Sequence, residues 1–221
     1  MNSNFEQIAT CIERGKVNKN APYPPDMKGQ DGADELARAA LAAAMPAAEV
    51  LEACMTGMRC AGLKFSQNKV FTPDLLMAAK AMKTVMAQLK PYFQSGAVKP
   101  KGTFVIGTVS GDLHDIGKNL VAMTVEGAGW EVVDLGIDIP IDKFIAAVKD
   151  HPGCVLGLSA LLTTTMTGME KIAKVIKTMY PSTRIIVGGA PLSKEYADKI
   201  GADAYSPDPQ GAVEYLNSLK G

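Results

Sequence analysis

Histidine is scarce in this 221-residue chain: there are two, His114 and His151. No metal site built from several protein imidazoles is available. The four cysteines, Cys11, Cys54, Cys60 and Cys154, form no Cys-x-x-Cys pair. They are expected as reduced core residues of a cytoplasmic protein, not as a disulfide frame or a zinc site. No apolar run approaches ~18 residues, so no membrane span is expected. Met1 to Arg14 also lacks the basic flank and apolar core of a secretory signal. Net charge is missing too, since 23 Lys and Arg balance 23 Asp and Glu. A neutral chain carries no electrostatic footprint for nucleic acid. Apolar residues at 47% and charged residues at 21% fit a soluble globular protein of one large domain or two small ones.

What is present changes period along the chain. Residues 1–94 read as helices. Phe5, Ile8 and Ile12 make one apolar stripe. Leu36, Ala40, Leu41 and Ala44 make a second that stops near Pro46. Val50, Leu51, Cys54, Met55, Met58 and Ala61 make a third. Leu75, Ala79, Met82, Met86 and Leu89 make a fourth, opened by Thr72-Pro73 as a cap with proline in the first turn. Four stripes predict a helical bundle, with Lys16 to Gln30 as a loop. Residues 95–102 have linker chemistry. Beyond them, strand-like runs at 104–109, 131–135, 154–158, 185–187 and, more weakly, 203–205 alternate with helical segments. Those fall at 117–128, 141–149, 166–179, 193–200 and 210–219. Such alternation predicts an α/β flavodoxin-like, doubly wound parallel sheet of about five strands over 103–221. In that architecture ligands bind beyond the carboxyl ends of the strands, where the strand order switches.

Gly111 to Asn119, Gly-Asp-Leu-His-Asp-Ile-Gly-Lys-Asn, follows the first strand. His114 can reach a ligand above the sheet edge. Asp112 is placed to hold its other ring nitrogen, which fixes the tautomer of a metal-ligating histidine. Gly117 lets the backbone pass close to something bulky. One protein ligand suffices only where the rest of the coordination sphere arrives with a cofactor. The run is not a phosphate loop: five residues separate Gly111 from Gly117, and Asn119 follows Lys118 where a hydroxyl is required. Ser159 ends the third apolar run, where it can bond a neighbouring carbonyl or a ligand. Thr164 and Thr165 are suited to capping the next helix. Gly188-Gly189 suits a turn.

Asp112, His114 and Gly117, followed by Ser159-Ala160-Leu161 and Gly188-Gly189, resemble the ordered signature of cobalamin-binding proteins. The segment 71–90 resembles the cap bundle of methyl-carrying corrinoid proteins and of cobalamin-dependent methionine synthase. The likeness spans about residues 50–215. Gly62-Leu63 departs from the more usual Gly-Glu there. The resemblance implies cobalamin, with His114 as the lower axial ligand of its cobalt, tuned by Asp112 and Ser159. It implies cofactor contacts from Gly111, Asp112, Leu113, His114, Asp115, Ile116 and Gly117. Further contacts are implied for Ser159, Leu161, Thr163, Gly188, Gly189, Tyr205, Asp208 and Pro209. Phe71, Leu75 and Met77 are either cap residues over the upper face of the corrin or bundle core.

The implied function is a corrinoid methyl carrier of one-carbon metabolism. A donor-specific methyltransferase would load it, and a second enzyme would pass the methyl to tetrahydrofolate or coenzyme M. A reductive activase is a further possible partner, and the chain is not expected to catalyse alone. Two other classes share the lower-ligand motif. A mutase small subunit takes its upper wall from another chain, so the amino-terminal bundle argues against it. A cobalamin-dependent light sensor carries a DNA-binding module, for which no basic helix is present.

Overall fold

The computed structural model describes residues 3–94 and 99–219. The linker segment at 95–98 therefore lies outside the described residues. The chain divides into two compact units at about residue 100.

The first unit is helical. It contains α1 (Ser3–Glu13), α2 (Ala33–Ala42), α3 (Ala47–Ser66) and α4 (Thr72–Gln94), with a short 3-10 turn at Pro25–Met27. Helix α1 packs on α2 and α3, and α4 packs on α2 and α3. Ile8, Ile12, Val50, Cys54, Met58, Leu75, Met82 and Leu89 are buried, as their spacing predicts. The second stripe differs. The buried residues of α2 are Ala33, Ala37 and Ala40, while Leu36 and Leu41 are half-buried and Ala44 lies exposed beyond the helix end. Three alanines give α2 a smooth face, and the leucines flank it.

The start of α4 also differs from expectation. Its capping side chain is Asp74, not Thr72: Asp74 Oδ2 accepts the Phe71 N–H at 2.8 Å, and Oδ1 accepts the Tyr23 hydroxyl at 2.5 Å. The Tyr23 hydrogen bond lowers the pKa of Asp74, and the same bond pushes the Tyr23 phenol up to about 12. Losing such a cap costs about 1–2 kcal/mol. Asp74→Ala is therefore expected to destabilise the protein by that amount near neutral pH. A depressed folded-state pKa means that the contribution is present above the unfolded pKa and is lost as pH falls through the folded one. Urea melts of wild type and Asp74→Ala should then converge in acid, and a gap that stays constant with pH would contradict this cap.

The second unit is a five-stranded sheet of β1 (Thr103–Thr108), β2 (Glu131–Asp134), β3 (Val155–Ser159), β4 (Arg184–Gly188) and β5 (Ala204–Ser206). Every pairing is parallel, in the order β2-β1-β3-β4-β5. The intervening helices are α5 (Ile116–Gly127), α6 (Ile141–Asp150), α7 (Met166–Met179), α8 (Lys194–Ile200) and α9 (Pro209–Ser218). The α/β flavodoxin-like fold is therefore the one expected, with element limits close to the predicted ones. One sheet face presents Val105, Leu156, Leu158, Ile185 and Val187 to a core that includes Phe144, Met169, Ile172 and Ile176. The other face carries Phe104, Ile106, Gly157, Ser159, Ile186 and Gly188, by the period of two along each strand. The strand order switches between β1 and β3. Their ends, Thr108 and Ser159, are register partners, and Ser159 pairs in turn with Gly188. All three motif elements thus converge on one edge.

Candidate functional site

The loop from Val109 to Asp115 joins β1 to α5 and is held from several sides. The Thr108 hydroxyl donates to the His114 carbonyl at 3.0 Å. The Asp112 N–H donates to the Val109 carbonyl. Asp112 is fully buried, and its Oδ1 lies 2.7 Å from His114 Nδ1 while accepting the His114 N–H at 3.1 Å. Its Oδ2 accepts the Leu161 N–H at 2.7 Å, the Leu162 N–H at 3.3 Å and the Thr165 hydroxyl at 2.9 Å. Burial opposes its ionisation. The Leu161 N–H, the His114 ring and N–H, and the Thr165 hydroxyl outweigh burial and hold the carboxyl well below the usual carboxylate range. A carboxylate acceptor beside Nδ1 favours a proton there. Nε2 is left as the nitrogen with a free lone pair, on a side chain 52% exposed.

The relay therefore runs His114–Asp112–Thr165. Ser159, the residue expected to extend it, has no hydrogen-bond partner for its hydroxyl among the described residues and lines a cavity instead. Thr165 is buried, and its hydroxyl also lies 2.8 Å from the Leu162 carbonyl oxygen. Its sequence signal was only a run of three threonines, in which spacing does not single out one.

The cavity has a volume of about 450 Å³ and opens on the unit's carboxyl edge beside His114. Of the expected contacts, Leu113, His114, Asp115, Ile116, Gly117, Ser159, Leu161, Gly188, Gly189, Tyr205, Asp208 and Pro209 line it. Three do not. Gly111 and Thr163 are exposed outside the lining, and Asp112 is buried within the loop beneath His114. Thr163 sits in the exposed turn 161–164 between β3 and the buried Thr165. Sequence reading missed the floor: Phe104, Ile106, Gly157 and Ile186 on the sheet, Leu120 and Val121 on α5, and Ala212 on α9. Gly157 lets the Phe104 ring lie flat over the strand in that floor, since a Cβ there would lie 2.5 Å from Phe104 Cζ.

The donor set restricts what can bind. Among the described residues no group of three or more His, Cys, Asp and Glu could hold a metal ion. A metal at His114 must bring its other ligands with it. Leu113 and Ile116, each 68% exposed, and Leu161, 40% exposed, present an apolar surround to that imidazole. A Cβ at Gly117 would meet no protein atom within 4 Å, although the residue lines the cavity. An exposed imidazole, an apolar rim, a bare backbone and a deep slot fit a metal macrocycle with a tail. Cobalamin meets that description.

The expected upper-face residues do not form one surface. Phe71 is 73% exposed, Leu75 is buried at 1% in the helical core, and Met77 is half-buried against Gly15. Leu75 is thus a bundle-core residue in this structure.

Comparison with known proteins agrees with the geometry. A family model described as a B12 binding domain matches residues 102–214, and a second with the same description matches residues 30–90. Dimethylamine corrinoid protein 3 of Methanosarcina acetivorans is 40% identical over 180 residues, covering 80% of this chain and 84% of that protein. The trimethylamine corrinoid protein of Methanosarcina barkeri is 41% identical over 186 residues, 82% of this chain and 86% of that protein. Among solved structures, the methanol:cobalamin methyltransferase complex MtaBC of Methanosarcina barkeri has a TM-score of 0.82 at 27% identity, covering 99% of this chain and 80% of that one. A cobalamin-binding protein of Desulfitobacterium hafniense has a TM-score of 0.76 at 28% identity, with 98% of each chain covered.

Proposed function

We propose that this chain, which belongs to the family of B12-binding corrinoid proteins, is a methyl carrier whose cobalamin is held from below by His114. The observation that carries the ligand assignment is the pairing of His114 Nδ1 with buried Asp112, which leaves Nε2 exposed beside an apolar-rimmed cavity. When bound, the cobalamin supplies a cobalt that accepts a methyl group from one enzyme and yields it to another. The chain's own residues bind and orient it. Asp112 keeps a proton on Nδ1, and Leu161, Leu162 and Thr165 hold Asp112. Leu113, Ile116 and Leu161 would help hold the cofactor and keep water from the imidazole. Ser159, Gly188, Gly189, Tyr205, Asp208 and Pro209 form the upper part of the slot that takes the nucleotide tail.

The carrier serves a donor-specific methyltransferase and a second, acceptor methyltransferase. The curated relatives are named for dimethylamine and trimethylamine, which favours a methylated amine as donor. No helix among the described residues is long and apolar enough to cross a membrane. Placement in the cytoplasm is part of the proposal.

A test loads the full chain with cobalamin, reduces it and supplies mono-, di- or trimethylamine with a labelled methyl group. Label should move to the protein-bound cofactor only when a cognate methyltransferase is added. Transfer at full rate without any partner would make the chain an enzyme in its own right and end the carrier reading.

A further inference from the structure

We propose that Asp138 is a positioning residue for His114, acting from a different loop and without touching the histidine. This rests on the reading of His114 as a ligand. Asp138 lies in the segment between β2 and α6, where the chain bulges away from β1 and rejoins it. Leu135 N–H donates to the Ile106 carbonyl, and Ile139 N–H donates to the Thr108 carbonyl. Between these contacts Asp138 adopts a φ of 53°, a left-handed conformation that costs a non-glycine residue free energy. The bulge aims its groups at the turn that begins the histidine loop. Asp138 Oδ1 accepts the Gly111 N–H at 2.7 Å and the Ser110 hydroxyl at 3.2 Å. Asp138 N–H donates to the Asp112 carbonyl at 3.1 Å.

Three consecutive residues, Ser110, Gly111 and Asp112, are therefore fastened to one aspartate. The Asp112 carboxylate is fastened on its other side by Leu161, Leu162 and Thr165. Its backbone is fixed by Asp138 and its side chain by the loop after β3. With both ends of Asp112 set, the direction of its Oδ1 toward His114 Nδ1 is set as well. Hydrogen bonds to a charged acceptor are stronger than neutral ones, and Asp138 makes two of them. Removing only Asp138 frees the turn to pivot about Asp112, so the Nδ1 contact should lengthen and the ring lose its single tautomer.

The experiment uses the full chain as Asp138→Ala, Asp138→Asn and Ser110→Ala. One readout is the His114 ring nitrogen resonances of the cofactor-free protein, taken above the histidine titration range. The other is affinity for cobinamide, which lacks the nucleotide tail and so depends on the loop and not on the slot. Wild type should show one tautomer, protonated on Nδ1. Asp138→Ala should show a mixture and bind cobinamide about tenfold more weakly, the order expected when a group that orients a metal-ligating histidine is removed. Asp138→Asn retains an Oδ1 acceptor and should stay within about twofold of wild type. Ser110→Ala removes one donor and should fall between, which keeps the test decisive if Asp138→Ala does not fold. An unchanged tautomer and affinity in Asp138→Ala, or an Asn variant as impaired as the Ala variant, would overturn the proposal. If His114→Ala binds cobinamide like wild type, the ligand reading has failed. The tautomer in cofactor-free Asp138→Ala still judges the positioning claim separately.

Discussion

His114→Ala, loaded with cobalamin, is expected to lose the visible spectrum of cobalt ligated by a protein nitrogen. Among the described residues no second nitrogen ligand is free at the rim: Leu113, Ile116 and Leu161 are apolar, and Ser159 and Tyr205 offer only hydroxyls. Lys118 lies buried with its ammonium 2.5 Å from Asp134, and Asp115 accepts from Asn119. Groups that merely orient a ligating histidine are worth about 10–100-fold in metal affinity. Removing the histidine should cost at least the upper part of that range for cobinamide, and less for cobalamin, whose tail keeps its slot. The fold should be untouched, because the side chain is 52% exposed and its hydrogen-bond partner, Asp112, retains four other donors. Circular dichroism and a melt near the wild-type temperature would confirm that control. Coincident spectra of wild type and His114→Ala would remove His114 as the axial ligand.

The sheet was legible because parallel strands covered on both faces read as unbroken apolar runs, and Phe104–Thr108, Val155–Leu158 and Ile185–Val187 do so. The histidine loop was legible because its chemistry is contiguous: Asp112 stands two residues before His114, within reach of its ring. Three features were not. The packing face of α2 is built from Ala33, Ala37 and Ala40, whose weak hydropathy is outvoted by half-buried Leu36 and Leu41. Thr165 joins the relay because the turn after β3 folds back over Asp112. A run of three threonines cannot disclose that fold-back. Asp138 reaches the loop only through the adjacency of β1 and β2, which is tertiary information. The slot floor was partly legible. Phe104 and Ile106 share a face by the period of two, but that Gly157 lies opposite them depends on the register of β1 against β3.

Two glycines of the site should respond to the same substitution in opposite ways. Gly189 has a φ of 138°, and a Cβ there would overlap the Ala160 carbonyl oxygen. That carbonyl cannot move freely, because Ala160 N–H is bonded to the Gly188 carbonyl and β3 pairs with β4 immediately below. Backbone strain in this region costs about 1–3 kcal/mol. Overpacking against backbone adds about as much again. Gly189→Ala should therefore lose about 2–6 kcal/mol and lower the melting temperature by several degrees or more. It should also spread the rim of the slot between Ser159 and Gly188, so that cobalamin loses its advantage over cobinamide. Gly117 is the contrast. It lies in the first turn of α5, no protein atom is within 4 Å of its would-be Cβ, and alanine is the better helix former by up to ~1 kcal/mol. Gly117→Ala should be as stable as wild type or slightly more so, yet bind both cobalamin and cobinamide more weakly, because the space its Cβ enters is the space the ring is proposed to occupy. Melting curves and binding isotherms of the two variants, measured side by side, separate a glycine kept for the fold from a glycine kept for the cofactor. A Gly117→Ala protein that binds cobinamide as tightly as wild type would place the ring elsewhere on this edge.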